Sequence, residues 1–146
     1  MKRCRIHILS VLLICLSCPA LLYAATEHAV SIEKLKVEYA EMPLGIDVEK
    51  PRFSWQMVMQ NTERGYSQKA YQITVTDEAG QTVWDSGRVS SDLSLNIEYA
   101  GAPLQPTTCY FWTVNVWNQK GEQSSSTSWF ETGLMSKANP YEGWSD

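Results

Sequence analysis

Five segments of the chain alternate apolar and polar residues with a period of two, and that period decides the fold class. Leu35, Val37 and Tyr39 alternate with Lys36 and Glu38, and Phe53, Trp55, Met57 and Met59 alternate with Ser54, Gln56 and Val58. Tyr71, Ile73 and Val75 alternate with Gln72, Thr74 and Thr76, and Leu93, Leu95 and Ile97 with Ser94, Asn96 and Glu98. Tyr110, Trp112, Val114 and Val116 alternate with Phe111, Thr113, Asn115 and Trp117. Successive side chains of a strand point to opposite faces, so each first-named set is expected to line one buried face. Weaker strands over 82–85 and about 126–132 bring the expected number to seven. Between them stand turn residues. Asp77-Glu78-Ala79-Gly80 and Asn118-Gln119-Lys120-Gly121 read as short hairpin loops, with glycine supplying a positive φ. Pro51, Pro103 and Pro106 fall at strand entries or in connections, where a missing N–H does no harm. No helical period of useful length follows residue 24. The pattern predicts an all-β, two-sheet antiparallel sandwich.

One segment narrows the type of sandwich. Leu104-x-Pro106-x-Thr108-x-Tyr110-x-Trp112-x-Val114 has the spacing of a tyrosine corner, in which a buried Tyr bonds back to upstream backbone and fixes the crossing between sheets. Tyr110 is the residue assigned that structural role. The expected fold is therefore a fibronectin type III or immunoglobulin-like sandwich of about seven strands.

The first 24 residues read as a signal peptide rather than as part of the fold. Lys2, Arg3 and Arg5 form a positive start, an apolar run continues to Leu16, and small residues follow at Ala24 and Ala25. The run is too short for a spanning helix. Two processing routes remain open: cleavage after Ala24, or a lipoprotein cut before Cys18 that would leave a lipid anchor there. Either route exports the protein to the periplasm or the extracellular space. The expected organisation is a signal peptide at 1–24, a flexible N-terminus at 25–31, the sandwich at 32–134 and a linker at 135–146, rich in Pro, Gly, Asn and Ser.

The 146-residue chain carries twelve basic and sixteen acidic residues. Three of the basic residues and none of the acids lie in the first 24, so the mature part has a net charge of −7. Such a charge disfavours nucleic acid and anionic membrane surfaces. Of four cysteines only Cys109 lies beyond the signal. It is expected to have no internal disulfide partner, which leaves stability to the apolar core. The two histidines are His7, inside the signal, and His28, before the first strand. A nucleophile activated by histidine and a zinc ligand set are both excluded on that inventory. No P-loop or dinucleotide motif is present. No catalytic residue, cofactor or metal is assigned. Asp77, Glu78, Asp85 and Asp92 fall in or beside turns, where Asp caps its own backbone.

Tryptophan is the unusual component. All six lie in the mature part. Trp55 and Trp112 belong to inward faces. Trp117, Trp129 and Trp144 do not fit that pattern, and are candidates for stacking on sugars or packing on a neighbouring domain.

The run from Glu41 to Trp55, EMPLGIDVEKPRFSW, closely resembles the opening of bacterial α-L-rhamnosidases of glycoside hydrolase family 78. So do Ala70-Tyr71-Gln72-Ile73-x-Val75 and Val83-Trp84-Asp85-Ser86-Gly87-Arg88-Val89-x-Ser91. Tyr110-x-Trp112-x-Val114-x-Val116-Trp117 and Trp129-Phe130-Glu131-x-Gly133-Leu134 continue the series in order. The resemblance implies an N-terminal fibronectin-like accessory domain, followed in that family by further β-sandwiches and an α/α-barrel that carries the catalytic acids. The family removes terminal L-rhamnose from glycans with inversion. No position here matches a catalytic residue, so the expectation is an inactive fragment of an exported rhamnosidase. Its expected partners are the downstream domains and rhamnose-containing glycans. A stand-alone carbohydrate-binding module and a surface adhesion or assembly module are the competing expectations.

Overall fold

The structure is a computed structural model that describes residues 30–59 and 65–135. Eight strands follow one another: β1 Val30–Val37, β2 Arg52–Met59, β3 Gln68–Asp77, β4 Thr82–Asp85, β5 Val89–Ser90, β6 Ile97–Glu98, β7 Cys109–Asn118 and β8 Gln123–Glu131. They form two antiparallel sheets. One has the order β1-β2-β6, the other β4-β3-β7-β8. The two-residue β5 pairs with Ala70 and Tyr71 of β3, on the edge it shares with β4. This is the expected two-sheet sandwich. The signal peptide, the residues at 136–146 and Trp144 lie outside the described residues.

The alternation read from sequence survives best in the strands that have neighbours on both sides. In β7, Tyr110, Trp112, Val114 and Val116 are buried while Phe111, Thr113, Asn115 and Trp117 are half-exposed. In β3 the buried set is Tyr71, Ile73 and Val75, and in β2 it includes Phe53 and Trp55. The two inner faces meet through aromatic rings. Phe53 of one sheet lies 4.8 Å from Trp112 of the other, and Trp55 meets Tyr71 edge-on at 5.4 Å. Such tilted pairs satisfy the ring quadrupoles as well as filling space.

The two hairpin loops share one design. Asp77 Oδ1 accepts the N–H groups of Ala79 and Gln81 at 2.9 Å, and Asn118 Oδ1 accepts those of Lys120 and Glu122 at 2.9 and 3.0 Å. Gly80 and Gly121 follow with φ of 79° and 80°, the left-handed conformation that glycine adopts without a Cβ penalty. At the sheet crossing, the hydroxyl of buried Tyr110 accepts the backbone N–H of Gln105 at 2.8 Å. This backward bond is the geometry of a tyrosine corner.

Several expectations need correction. Leu93 and Leu95 do not face the core; they are among the most exposed apolar side chains, and only Ile97–Glu98 is strand. The reason is local. Asn96 has φ of 57°, which breaks the extended backbone, and its N–H is taken by Ser54 Oγ at 3.1 Å. Tyr39 is also exposed, because β1 ends at Val37 in a tight turn. Val37 and Ala40 exchange two hydrogen bonds there, with Glu38 and Tyr39 both at positive φ. A bulge between Glu33 and Lys36, with Lys34 at φ 51°, switches faces along β1, so Val30 and Ile32 are buried as well. β1 thus takes in Val30 and Ser31, which the sequence reading had placed in a flexible approach. Cys109, expected to lack a disulfide, is buried and disulfide-bonded.

Candidate functional site

Trp117 and Trp129 both lie on the outer face of the larger sheet, but at opposite ends of it. Trp129 of β8 is paired with Phe111 of β7, whereas Trp117 is paired with Gln123. Trp117 stands six residue steps along the strand from Phe111, which is about 20 Å at roughly 3.4 Å per residue. The two indoles therefore cannot grip one sugar ring between them. The strip between them is polar. Thr113 and Thr127 share a hydroxyl hydrogen bond at 2.9 Å, and Gln123 Nε2 donates to Asn115 Oδ1 at 3.0 Å. One face of Trp117 is already occupied, since the Arg88 guanidinium lies 4.4 Å above its ring. Trp129 and Phe111, both half-exposed, make the more open aromatic pair.

Four of the acids are engaged in structure. Asp77 caps its own turn. Asp85 accepts from the Gly87 N–H and from Gln72 Nε2, each at 2.8 Å. Glu78 Oε1 takes the Cys109 N–H at 3.3 Å. Glu38 is gripped by Arg52 through two side-chain bonds of 3.0 and 2.8 Å, and also accepts the Arg52 backbone N–H at 2.7 Å. That grip, chiefly the side-chain hydrogen bond, holds the Glu38 carboxyl below its ordinary value and raises the guanidinium. Burial pushes the Tyr99 hydroxyl up to about 12, with Tyr110 adding to the effect. The Tyr99 hydroxyl donates to the Ala102 carbonyl at 2.6 Å. Among the described residues no group of three His, Cys, Asp or Glu could hold a metal ion, and no helix is long and apolar enough to cross a membrane.

Sequence reasoning missed the polar centre of the core. Gln68, at the start of β3, is buried. Its Oε1 accepts the Trp55 Nε1–H at 3.0 Å, and its Nε2 donates to the carbonyls of Ser91 and Leu93 at 3.1 and 2.6 Å. It ties both sheets to the loop that carries Leu93. No periodic signal marks such a residue, because its partners lie 13 to 25 positions away.

The chain's similarities to known proteins agree with this geometry. The family described as Rha78A-like, N-terminal immunoglobulin domain, matches residues 32–136. An α-L-rhamnosidase of Streptomyces avermitilis is 43% identical over 122 residues, which are 80% of this chain and 12% of that protein. A crystal structure of the Streptomyces avermitilis enzyme complexed with L-rhamnose superposes with a TM-score of 0.67 at 45% identity, over 73% of this chain and 11% of the other. The α-L-rhamnosidase structure from Dictyoglumus thermophilum gives 0.65 at 38% identity, over 73% and 13%. The chain thus spans about an eighth of the length of these relatives, and it belongs to the family of Rha78A-like N-terminal immunoglobulin domains.

Proposed function

We propose that this domain is a non-catalytic accessory module of an exported α-L-rhamnosidase, serving by packing against the rest of the enzyme. The observation that carries the reading is the family match over the whole sandwich, set against the eighth of its relatives that the chain spans. The side-chain chemistry supports it. Asp77 is spent on its own turn, Asp85 and Glu78 on backbone N–H groups, and Glu38 on an arginine. The signal-like first 24 residues support export, and Cys18 is the position for a lipid anchor if the lipoprotein route is taken. In this reading the substrate, a terminal L-rhamnose on a glycan, is met by another part of the polypeptide. Grafting residues 30–135 into the Streptomyces avermitilis enzyme, in place of its matched segment, tests the idea. An active enzyme that melts in one cooperative transition is expected. A graft in which this domain melts separately would contradict it.

A second reading, sugar binding, rests on the half-exposed Phe111 and Trp129 pair. Titrating the chain with rhamnose-rich oligosaccharides while following tryptophan fluorescence separates the two. An accessory packing module gives no shift. A shift abolished by Trp129→Ala would establish the binding module instead.

A further inference from the structure

We infer that the exit end of the sandwich is a preformed docking face for the polypeptide that follows this domain in an α-L-rhamnosidase. The inference rests on the accessory-module reading and names the surface that reading needs.

Seven large hydrophobic side chains are exposed among the described residues, and five of them gather here: Tyr39, Met42, Leu44, Val48 and Leu134. The first four belong to the connection between β1 and β2, and Leu134 to the segment that leaves β8. These two stretches run side by side. Glu131 N donates to the Pro43 carbonyl at 3.0 Å, Ile46 N to the Glu131 carbonyl at 2.9 Å, and Gly133 N to the Ile46 carbonyl at 2.8 Å. Asp47 Oδ1 then accepts the Met135 N–H at 2.8 Å. Leu44, Val48 and Leu134 are thereby carried on adjacent backbones, with Leu44 and Leu134 at 66% and 71% exposure.

The face is fixed rather than loose. Glu38, Tyr39, Met42 and Met135 all hold positive φ, a conformation that costs non-glycine residues energy and persists only where surroundings enforce it. Enforcement comes from the Arg52 grip on Glu38, from Arg52 stacking 4.9 Å over Tyr39, and from the ladder just described. Apolar surface gathered on a monomer marks a contact site. A rigid one loses little entropy on docking.

Position selects the occupant. The matched family is an N-terminal domain, and about seven-eighths of each relative lies outside the matched part. The chain leaves the sandwich at Leu134 and Met135, beside Ile46 and Asp47 of the β1–β2 connection. A tethered neighbour meets its docking face at high effective concentration, so a modest apolar contact is enough. Leu95 and Leu93, whose carbonyl Gln68 holds at the other end of β3, have no such tether and serve as the control.

The test uses the grafted enzyme described above. Leu44→Asp combined with Leu134→Asp should open the junction after residue 135 to protease about tenfold faster, since cleavage follows the population of the undocked form. The radius of gyration from solution scattering should rise with it. Leu93→Asp combined with Leu95→Asp should change neither. Circular dichroism of each variant checks that the sandwich still folds; where the double variant unfolds, Leu44→Ser alone takes its place. A compact graft whose junction is indifferent to the Leu44 and Leu134 changes would overturn this surface and leave the accessory reading standing. A graft already extended without substitutions would overturn both. A dimer of the isolated chain in sedimentation, dissolved by Leu44→Asp, would assign the face to a second copy and so overturn the inference.

Discussion

Replacing Gln68 by Leu keeps most of the side-chain volume and removes every hydrogen bond at the polar centre of the core. The Trp55 indole N–H then has no acceptor, and Trp55 is buried, so water cannot replace the lost partner. An orphaned buried donor costs about 1–3 kcal/mol. The carbonyls of Ser91 and Leu93 also lose a donor, but Leu93 is exposed and these oxygens can turn to water, which adds about 1 kcal/mol in all. The sum is about 2–4 kcal/mol, a large share of the roughly 5–15 kcal/mol that holds a domain of this size together. At an m-value of about 1.5 kcal/mol/M the urea midpoint should fall by about 1–3 M. Urea titration followed by tryptophan fluorescence reads this directly. A double-mutant cycle with Trp55→Phe isolates the Trp55–Gln68 bond, and a coupling of about 1 kcal/mol is expected. A Gln68→Leu cost below about 0.5 kcal/mol, the range of an ordinary surface change, would show that the Gln68 bonds do not hold the core together.

Other substitutions probe separate parts of the account. Tyr110→Phe leaves the Gln105 N–H without its acceptor and should cost about 1 kcal/mol in the same titration, without altering the far-ultraviolet spectrum. Glu38 has a depressed carboxyl pKa, so its pairing with Arg52 stabilises the fold above the ordinary value of 4.5 and is lost as pH falls through the lower folded value. The stability gap between wild type and Glu38→Gln should therefore be constant near neutral pH and close below 4.5. Gly101→Ala places a methyl group 2.5 Å from Trp84 Cβ and 2.6 Å from the Tyr99 hydroxyl, and should cost about 1–3 kcal/mol in thermal or urea unfolding.

What could be read from sequence depended on whether the signal was periodic. β3 and β7 have strand neighbours on both edges and one buried face, so Tyr71, Ile73, Val75 and the Tyr110–Val116 series showed themselves through period two alone. The tyrosine corner and both hairpin loops were legible because spacing or a glycine defines them. Leu93 and Leu95 misled because their alternation was real while the backbone was not extended; apart from the Trp55 N–H bond to the Ser94 carbonyl, side chains of Ser54 and Gln68 hold that segment. The face switch in β1 was hidden for a similar reason, since a bulge leaves no trace in the residue types around Lys34. At the candidate site, the outward pointing of Trp117 and Trp129 followed from β-strand parity, but their separation depends on register, which only the paired strands reveal. The Glu38–Arg52 clamp joins residues 14 positions apart across a turn with two positive φ values, and nothing in either residue type announces it.

In the proposed reading this member of a rhamnosidase domain family has no chemistry of its own. Incubating the purified chain with an aryl α-L-rhamnoside, and measuring release of the aryl group against a buffer blank, decides the matter. No release above the blank is predicted, at any pH between weak acid and weak base. Sustained release proportional to the amount of chain, and retained through purification, would contradict it.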